Sequence, residues 1–275
     1  MSKVFLITGS SRGLGRQLAE SILAAGHRVV ATARKPEQLT DLAESYGEQV
    51  LPVALDVTDP AAAQTAVKAA VDTFGRLDVV INNAGYANLV AVEDVALDDF
   101  RAQLETNFFG VVNVTKAALP VLREQGSGHV INVSSVGSRL ASVGLSAYQS
   151  AKWALAGFAG VLAREVAPLG ITVTNLEPGG MPTDWNGSSM AKPPVSEPYQ
   201  QTVGKAVEYM REQGAITVSD LGKVAEVVLE LVELERPPLR LLLGSDAVRH
   251  AAAYEQAQRE SDERWHELSV STDAS

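Results

Sequence analysis

The sequence predicts a doubly wound α/β fold: a parallel sheet of about seven strands with helices on both faces. Three observations carry that prediction. Short β-branched runs alternate along the chain with longer stretches of helical spacing. Most of those runs are continuously apolar rather than alternating, as strands buried on both faces should be. The first run passes directly into a glycine-rich turn that opens a helix. Such alternation with short turns implies parallel strands joined by right-handed crossovers.

Taken in order, strands are expected at residues 4–7, 28–32, 50–55, 77–81, 130–133, 171–176 and 239–243. Helical spacing lies between them, as in Leu14, Leu18 and Ile22, or Val67, Ala70, Val71 and Phe74. Seven strands are one more than the paired mononucleotide-binding plan uses, so the last is expected to extend the sheet. With 275 residues, 46% of them hydrophobic, and no linker-like break before the last forty, one domain is expected. It spans residues 1–245 and includes a lid at about 183–215; a charged C-terminal helix and polar tail occupy 246–275.

A net charge of −10 speaks against a nucleic-acid partner. No apolar run approaches the roughly 18 residues of a membrane helix, so no membrane partner is expected. The apolar start, Val4 to Ile7, is interrupted at Thr8-Gly9, too soon for a signal peptide. The absence of cysteine excludes disulfides and thiolate metal sites and fits a cytoplasmic location. His27, His129, His250 and His266 never fall at ligand spacing, so no metal is expected.

The glycine turn reads Thr8-Gly9-Ser10-Ser11-Arg12-Gly13-Leu14-Gly15. Glycine is needed where backbone turns tightly and approaches a pyrophosphate with no Cβ in the way. The helix that follows offers free N–H groups and the positive end of its dipole. The second strand indicates which dinucleotide binds. An NAD site usually ends that strand in a carboxylate for the ribose 2′-hydroxyl. Here it ends Ala31-Thr32-Ala33-Arg34-Lys35, with two cations that suit a 2′-phosphate. Arg12 is placed to approach the same phosphate, and NADP(H) is expected over NAD(H).

Further motifs follow in order. Asp56-Val57 comes after the third strand, Asn82-Asn83-Ala84-Gly85 after the fourth, and Asn107 lies in Glu105-Thr106-Asn107-Phe108-Phe109-Gly110. Ser135 precedes a Tyr148-x-x-x-Lys152 pair, and Pro178-Gly179-Gly180-Met181-Pro182-Thr183 follows the sixth strand. Together, from Val4 to about Leu243, they resemble the short-chain dehydrogenase/reductase family, a single-domain Rossmann fold. The likeness is to an NADP(H)-preferring carbonyl reductase or hydroxysteroid dehydrogenase. Each motif alone is weak; their order along the chain is what is specific.

The resemblance implies a cofactor loop of Gly9, Ser11, Gly13, Leu14 and Gly15, joined here by Arg12 and Arg34. It makes Asp56 and Val57 the adenine contact, and Asn83, Ala84 and Gly85 a lining of the cofactor. Pro178, Gly179 and Thr183 meet the nicotinamide end, with Thr183 on the carboxamide. Asn107, Ser135, Tyr148 and Lys152 become the catalytic set, in which Asn107 holds a water that links Lys152 to solvent.

The chemistry fits these residue types. Reducing a carbonyl requires a hydride, which the cofactor supplies, and a proton for the developing alkoxide. Tyr148 is read as general acid/base, with Lys152 one helical turn away as its pKa tuner and ribose anchor. An ammonium about 4 Å from a phenolate contributes ~4 kcal/mol at an effective dielectric of 20, roughly three pKa units. Ser135 is read as a donor to the substrate oxygen, with Ser134 and Ser138 as rivals that family spacing disfavours.

On the substrate side, the segment from Thr183 to about Tyr199 is rich in turn residues and placed to be a lid. Trp185, Met190 and Tyr199 are expected to close an apolar pocket, lined also by Tyr86, Val136, Arg139, Leu140 and Val143. The partner is then a small, largely apolar carbonyl or alcohol. The resemblance also implies a homodimer formed through the helices that carry Asn107 and Tyr148. Two other functions are weighed: a catalytically silent NADP(H) sensor, which would be expected to lack Ser135, Tyr148 or Lys152, and an epimerase or dehydratase that uses bound NADP transiently.

Overall fold

The structure is a computed structural model in which residues 2–182, 190–212 and 219–274 are described. Its strands are β1 (Val4–Ile7), β2 (Arg28–Ala33), β3 (Val50–Ala54), β4 (Val79–Asn82), β5 (Ala87–Asn88), β6 (Gly128–Val133), β7 (Ile171–Pro178), β8 (Met190–Ala191) and β9 (Arg240–Leu243). Seven of them form one parallel sheet in the order β3-β2-β1-β4-β6-β7-β9. All seven expected strands are present, and β9 extends the sheet beside β7 as anticipated. The two-residue strands β5 and β8, which the sequence reading lacked, pair with each other outside the main sheet.

The helices are α1 (Gly13–Ala24), α2 (Thr40–Tyr46), α3 (Pro60–Phe74), α4 (Leu97–Leu104), α5 (Gly110–Gln125), α6 (Ser146–Val166), α7 (Lys205–Glu212), α8 (Leu221–Leu231), α9 (Ser245–Arg264) and α10 (His266–Val270). The apolar stripes of α1 and α8 pack on one face of the sheet, with Leu14, Leu18, Ile22, Val224 and Val228 against Phe5 and Ile7. Those of α3, α5 and α6 cover the other, with Val67, Val114 and Leu162 among the residues around Val4 and Leu6. Adjacent residues of β1 therefore enter opposite cores, which explains why the run is continuously apolar. Strand order runs outward in both directions from the β1/β4 pair, so the cleft opens beyond the carboxyl ends of those strands.

A buried amide ladder crosses the sheet near those ends. Asn82, Asn132 and Asn175 lie opposite one another on β4, β6 and β7. Asn82 Nδ2 donates to Asn132 Oδ1, and Asn132 Nδ2 donates to Asn175 Oδ1, each at 2.9 Å. Asn82 Nδ2 also reaches Thr115 Oγ1 on α5.

The charged C-terminal helix expected within 246–275 is present as α9, is broken at Trp265 and resumes as α10. Ala247 and Ala251 bury the start of α9, whereas every residue from Glu255 to Asp273 is exposed.

Candidate active site

The first loop is built by short polar ties. Ser10 N donates to Thr32 O, and Ser10 Oγ to Ile7 O, which joins the turn to the end of β2. Thr8 Oγ1 accepts from the backbone N–H groups of Asn83 and Ala84 at 2.9 and 3.0 Å. Asn83 Nδ2 answers by donating to the carbonyls of Thr8 and Gly9. Gly15 is required by this packing itself, because a Cβ there would stand 2.2 Å from the Gly9 oxygen. The turn then feeds α1, whose first turn has no acidic residue and whose N-cap, Arg12, makes no side-chain cap. Its N–H groups are thus directed at the cleft, where they suit an anion.

Arg34 and Lys35 are exposed at the end of β2, and Asp56 is exposed after β3. Asp56 Oδ1 accepts from Thr58 N and Thr58 Oγ1, which fixes the carboxylate. Val57 is buried and its carbonyl accepts from Asn113. From the end of β3 to that of β6 is four strand spacings, about 19 Å. The donor set along this edge fits an extended dinucleotide: N–H groups for a pyrophosphate, cations for a 2′-phosphate and a carboxylate for an exocyclic amine.

At the other end of the edge, Ser135 leaves β6 in an extended conformation and its Oγ accepts from Gly137 N at 3.0 Å. Tyr148 and Lys152 project from the same buried face of α6. The Tyr148 hydroxyl bonds Ser135, while Lys152 Nζ donates to Val133 O at 2.8 Å and lies 5.6 Å from the Tyr148 ring centre. Of the three rival serines, only Ser135 meets the tyrosine. Ser138 Oγ is engaged by Glu177, and Ser134 Oγ is buried. Gln149, also on α6, pins the preceding loop through Ser142 N at 2.7 Å.

The electrostatics differ from the expectation that Lys152 would depress Tyr148. Burial pushes the Tyr148 phenol up to about 12, against a smaller lowering by the Ser135 hydrogen bond. Burial likewise pulls the Lys152 ammonium down to about 8. Desolvation penalises the charged form of each group and is the largest cause at both.

Asn107 is fully buried in a π-helical turn, Glu105–Phe109, between α4 and α5 rather than in regular helix. Its Nδ2 donates to Tyr86 O and Gln103 O, both at 2.9 Å, and its Oδ1 accepts from Tyr86 N. The side chain thus clamps the segment after β4. It also occupies the space a side chain at Gly85 would need.

The substrate side is apolar. Tyr148 shares one buried cluster with Ala87, Leu89, Ala91, Leu145, Met190, Val203 and Val207, to which Tyr199 adds. Met190 and Tyr199, two of the expected lid residues, therefore pack beside Tyr148, and Tyr199 also bonds Glu93. Thr183 and Trp185 lie outside the described residues. Arg139 departs from the expected cleft lining: its guanidinium is held by Glu177 and Glu255. Val143 is exposed.

Sequence reasoning missed Glu177 and Asp246. Glu177 was visible as a lone acid in the apolar strand Ile171–Pro178, where a buried carboxylate needs cations. Arg139 and Arg240 supply them. Asp246 carried no signal beyond its place at the start of a helix.

The model of the short chain dehydrogenase family matches residues 3–194. The chain belongs to this family. Its members are oxidoreductases acting on CH–OH and C=O groups. The chain is 57% identical to oxidoreductase BOA17 of Botryotinia fuckeliana over 273 residues, 99% of this chain and 100% of that one. A solved short-chain dehydrogenase from Streptomyces avermitilis is 36% identical, with a TM-score of 0.93 and full coverage of both chains. Another, from Burkholderia cenocepacia and solved in complex with NADP, is 26% identical with a TM-score of 0.75, covering 96% of this chain and 97% of that one. Among the described residues no helix is long and apolar enough to cross a membrane.

Proposed function

We propose that this short-chain dehydrogenase is an NADP(H)-preferring oxidoreductase of a largely apolar ketone or secondary alcohol, with Tyr148 as general acid/base. The observation that carries the reading is the contact of Tyr148 with Ser135, with Lys152 beside them, inside an apolar cluster at the carboxyl edge of the sheet. The bound cofactor supplies or accepts the hydride. Ser135 donates to the substrate oxygen as charge develops there, and Tyr148 gives that oxygen its proton. A phenol held near 12 stays protonated at neutral pH, so Tyr148 carries the proton that carbonyl reduction requires. Lys152 donates to the Val133 carbonyl, and its remaining N–H bonds serve a ribose hydroxyl.

Arg34 and Lys35, with no carboxylate at the end of β2, support the 2′-phosphate preference, as does the NADP complex of the Burkholderia cenocepacia relative. Asn107 is proposed to bind the relay water through its π-helical turn. The buried apolar cluster around Tyr148, with Leu89, Met190, Val203 and Val207, supports an apolar substrate. The silent-sensor reading has no observation in its favour.

NADPH absorbance with a panel of ketones, aldehydes and quinones tests the proposal, with NADH and Tyr148→Phe in parallel. The expected result is net NADPH oxidation on some member, faster than with NADH, and lost by a factor of about 10² or more in the variant. Substrate conversion without net cofactor change marks an epimerase or dehydratase instead. Equal rates with both cofactors, or an active Tyr148→Phe enzyme, would falsify the cofactor or acid/base assignment respectively.

A homodimer through α5 and α6 belongs to the same proposal. Trp153, Gly157 and Val161 form an exposed stripe one turn apart along α6, with Phe109 exposed at the start of α5. Light scattering should return twice the 29.1 kDa chain mass, and a monomer mass contradicts the assignment.

A further inference from the structure

β7 is followed by two successive glycines, Gly179 and Gly180, the least constrained backbone a chain can offer. Their position must therefore be set from outside. Gly179 N donates to Leu243 O at 3.0 Å, and Ser219 N donates to Gly180 O at 3.1 Å. The third tie is of a different kind: Gly180 N donates to the carboxylate of Asp246, 2.7 Å from Oδ2. Asp246 is buried in the first turn of α9, where the helix dipole favours its charge. The fit is close, because a Cβ at Gly179 would lie 2.2 Å from that same oxygen.

Nine residues along α9, Glu255 accepts from Arg139 Nη1 at 2.8 Å. Arg139 Nε bonds Glu177, which is fully buried and also takes Arg240 Nε and Ser138 Oγ. Arg139 and Ser138 belong to the turn that begins at Ser135. Helix α9 thus grips both segments that flank the reacting centre: the glycine pair after β7 and the serine turn after β6.

We propose that Asp246 is a positioning residue for the nicotinamide half of the cofactor, holding the Pro178–Gly180 segment in place through its carboxylate bond to the Gly180 amide. The proposal rests on the dinucleotide reading above and deepens it. The adenine half is held on the far side of β1 and should not sense Asp246. Ordering two glycines before the cofactor arrives removes an entropy cost from the step that places the nicotinamide beside Tyr148.

Calorimetric titration separates the halves, with two probes: NADPH, and adenosine 2′,5′-bisphosphate, which lacks the nicotinamide. Asp246→Ala should weaken NADPH about tenfold or more, the scale of a lost charge-assisted bond, and leave the bisphosphate within about twofold. Asp246→Asn keeps an acceptor for the Gly180 amide and should restore NADPH binding to within about threefold. If the alanine variant does not fold, Asp246→Ser retains a polar start to α9 but falls short of Gly180, and reads the same contrast. An equal loss on both probes, no loss on either, or an asparagine variant as weak as the alanine overturns the proposal. Wild-type protein that binds neither probe overturns the dinucleotide reading itself, and this proposal with it.

Discussion

The two ends of the cleft are built on different physics. On the cofactor side, Thr8, Ser10, Thr32 and Asn83 join three neighbouring strands through directional hydrogen bonds between backbone and short side chains. On the substrate side, the side chains of Leu89, Leu145, Met190, Val203 and Val207 converge from four separate segments in one apolar cluster. Hydrogen bonds constrain atoms to tenths of an ångström, whereas hydrophobic contact is non-directional and tolerates exchange of side chains of similar volume. One end can thus hold a constant ligand while the other is free to change its substrate.

Two glycines offer the sharpest way to break that contrast. Gly15→Ala should have the larger effect, since its Cβ meets a backbone oxygen that has no rotamer to escape into. We expect nucleotide affinity to fall at least tenfold, with roughly 1–3 kcal/mol of stability lost to overpacking. Gly144→Ala acts at the other end: φ there is +81°, and the added carbon would sit 2.7 Å from Leu89 Cδ1 and 3.3 Å from Val203 Cγ1. It should raise the substrate KM severalfold, at a strain of about 1–2 kcal/mol, while nucleotide affinity holds. If Gly144→Ala weakened nucleotide and substrate alike, the two ends would not be independent.

A test of another kind, read on stability alone, lies at the seam between them. Lys152 titrates near 8 in the fold against 10.5 ordinarily, so between those values the unfolded chain holds the extra proton and stability rises with pH. Tyr148 titrates near 12 against 10, so across that window the folded chain holds the proton and stability falls. Denaturant midpoints measured from pH 7 to 12 should show that rise missing in Lys152→Met and that fall reduced in Tyr148→Phe. Profiles parallel to wild type would mean that neither group is desolvated as described.

The same contrast explains what was legible. Short β-branched runs, most of them continuously apolar, announced all seven strands of the main sheet, and the structure brings together Ser135, Tyr148 and Lys152, the set the family resemblance implied. The pKa expectation failed because helical spacing gives a separation but not a burial, and at Tyr148 burial dominates. β5 and β8 were missed because two residues carry no period. Arg139 was misread for a related reason: its partners Glu177 and Glu255 are 38 and 116 residues away, beyond any local pattern.

The amide ladder on β4, β6 and β7 has a consequence for how the chain assembles. Apolar strands buried on both faces can slide past one another by two residues at little loss of hydrophobic contact. Asn82, Asn132 and Asn175 oppose the slide, because a shifted pairing loses both amide–amide bonds of the ladder. The three asparagines act as index marks for three neighbouring strands. Their alignment delivers Ser135 and Pro178 to adjacent places at the top of the sheet.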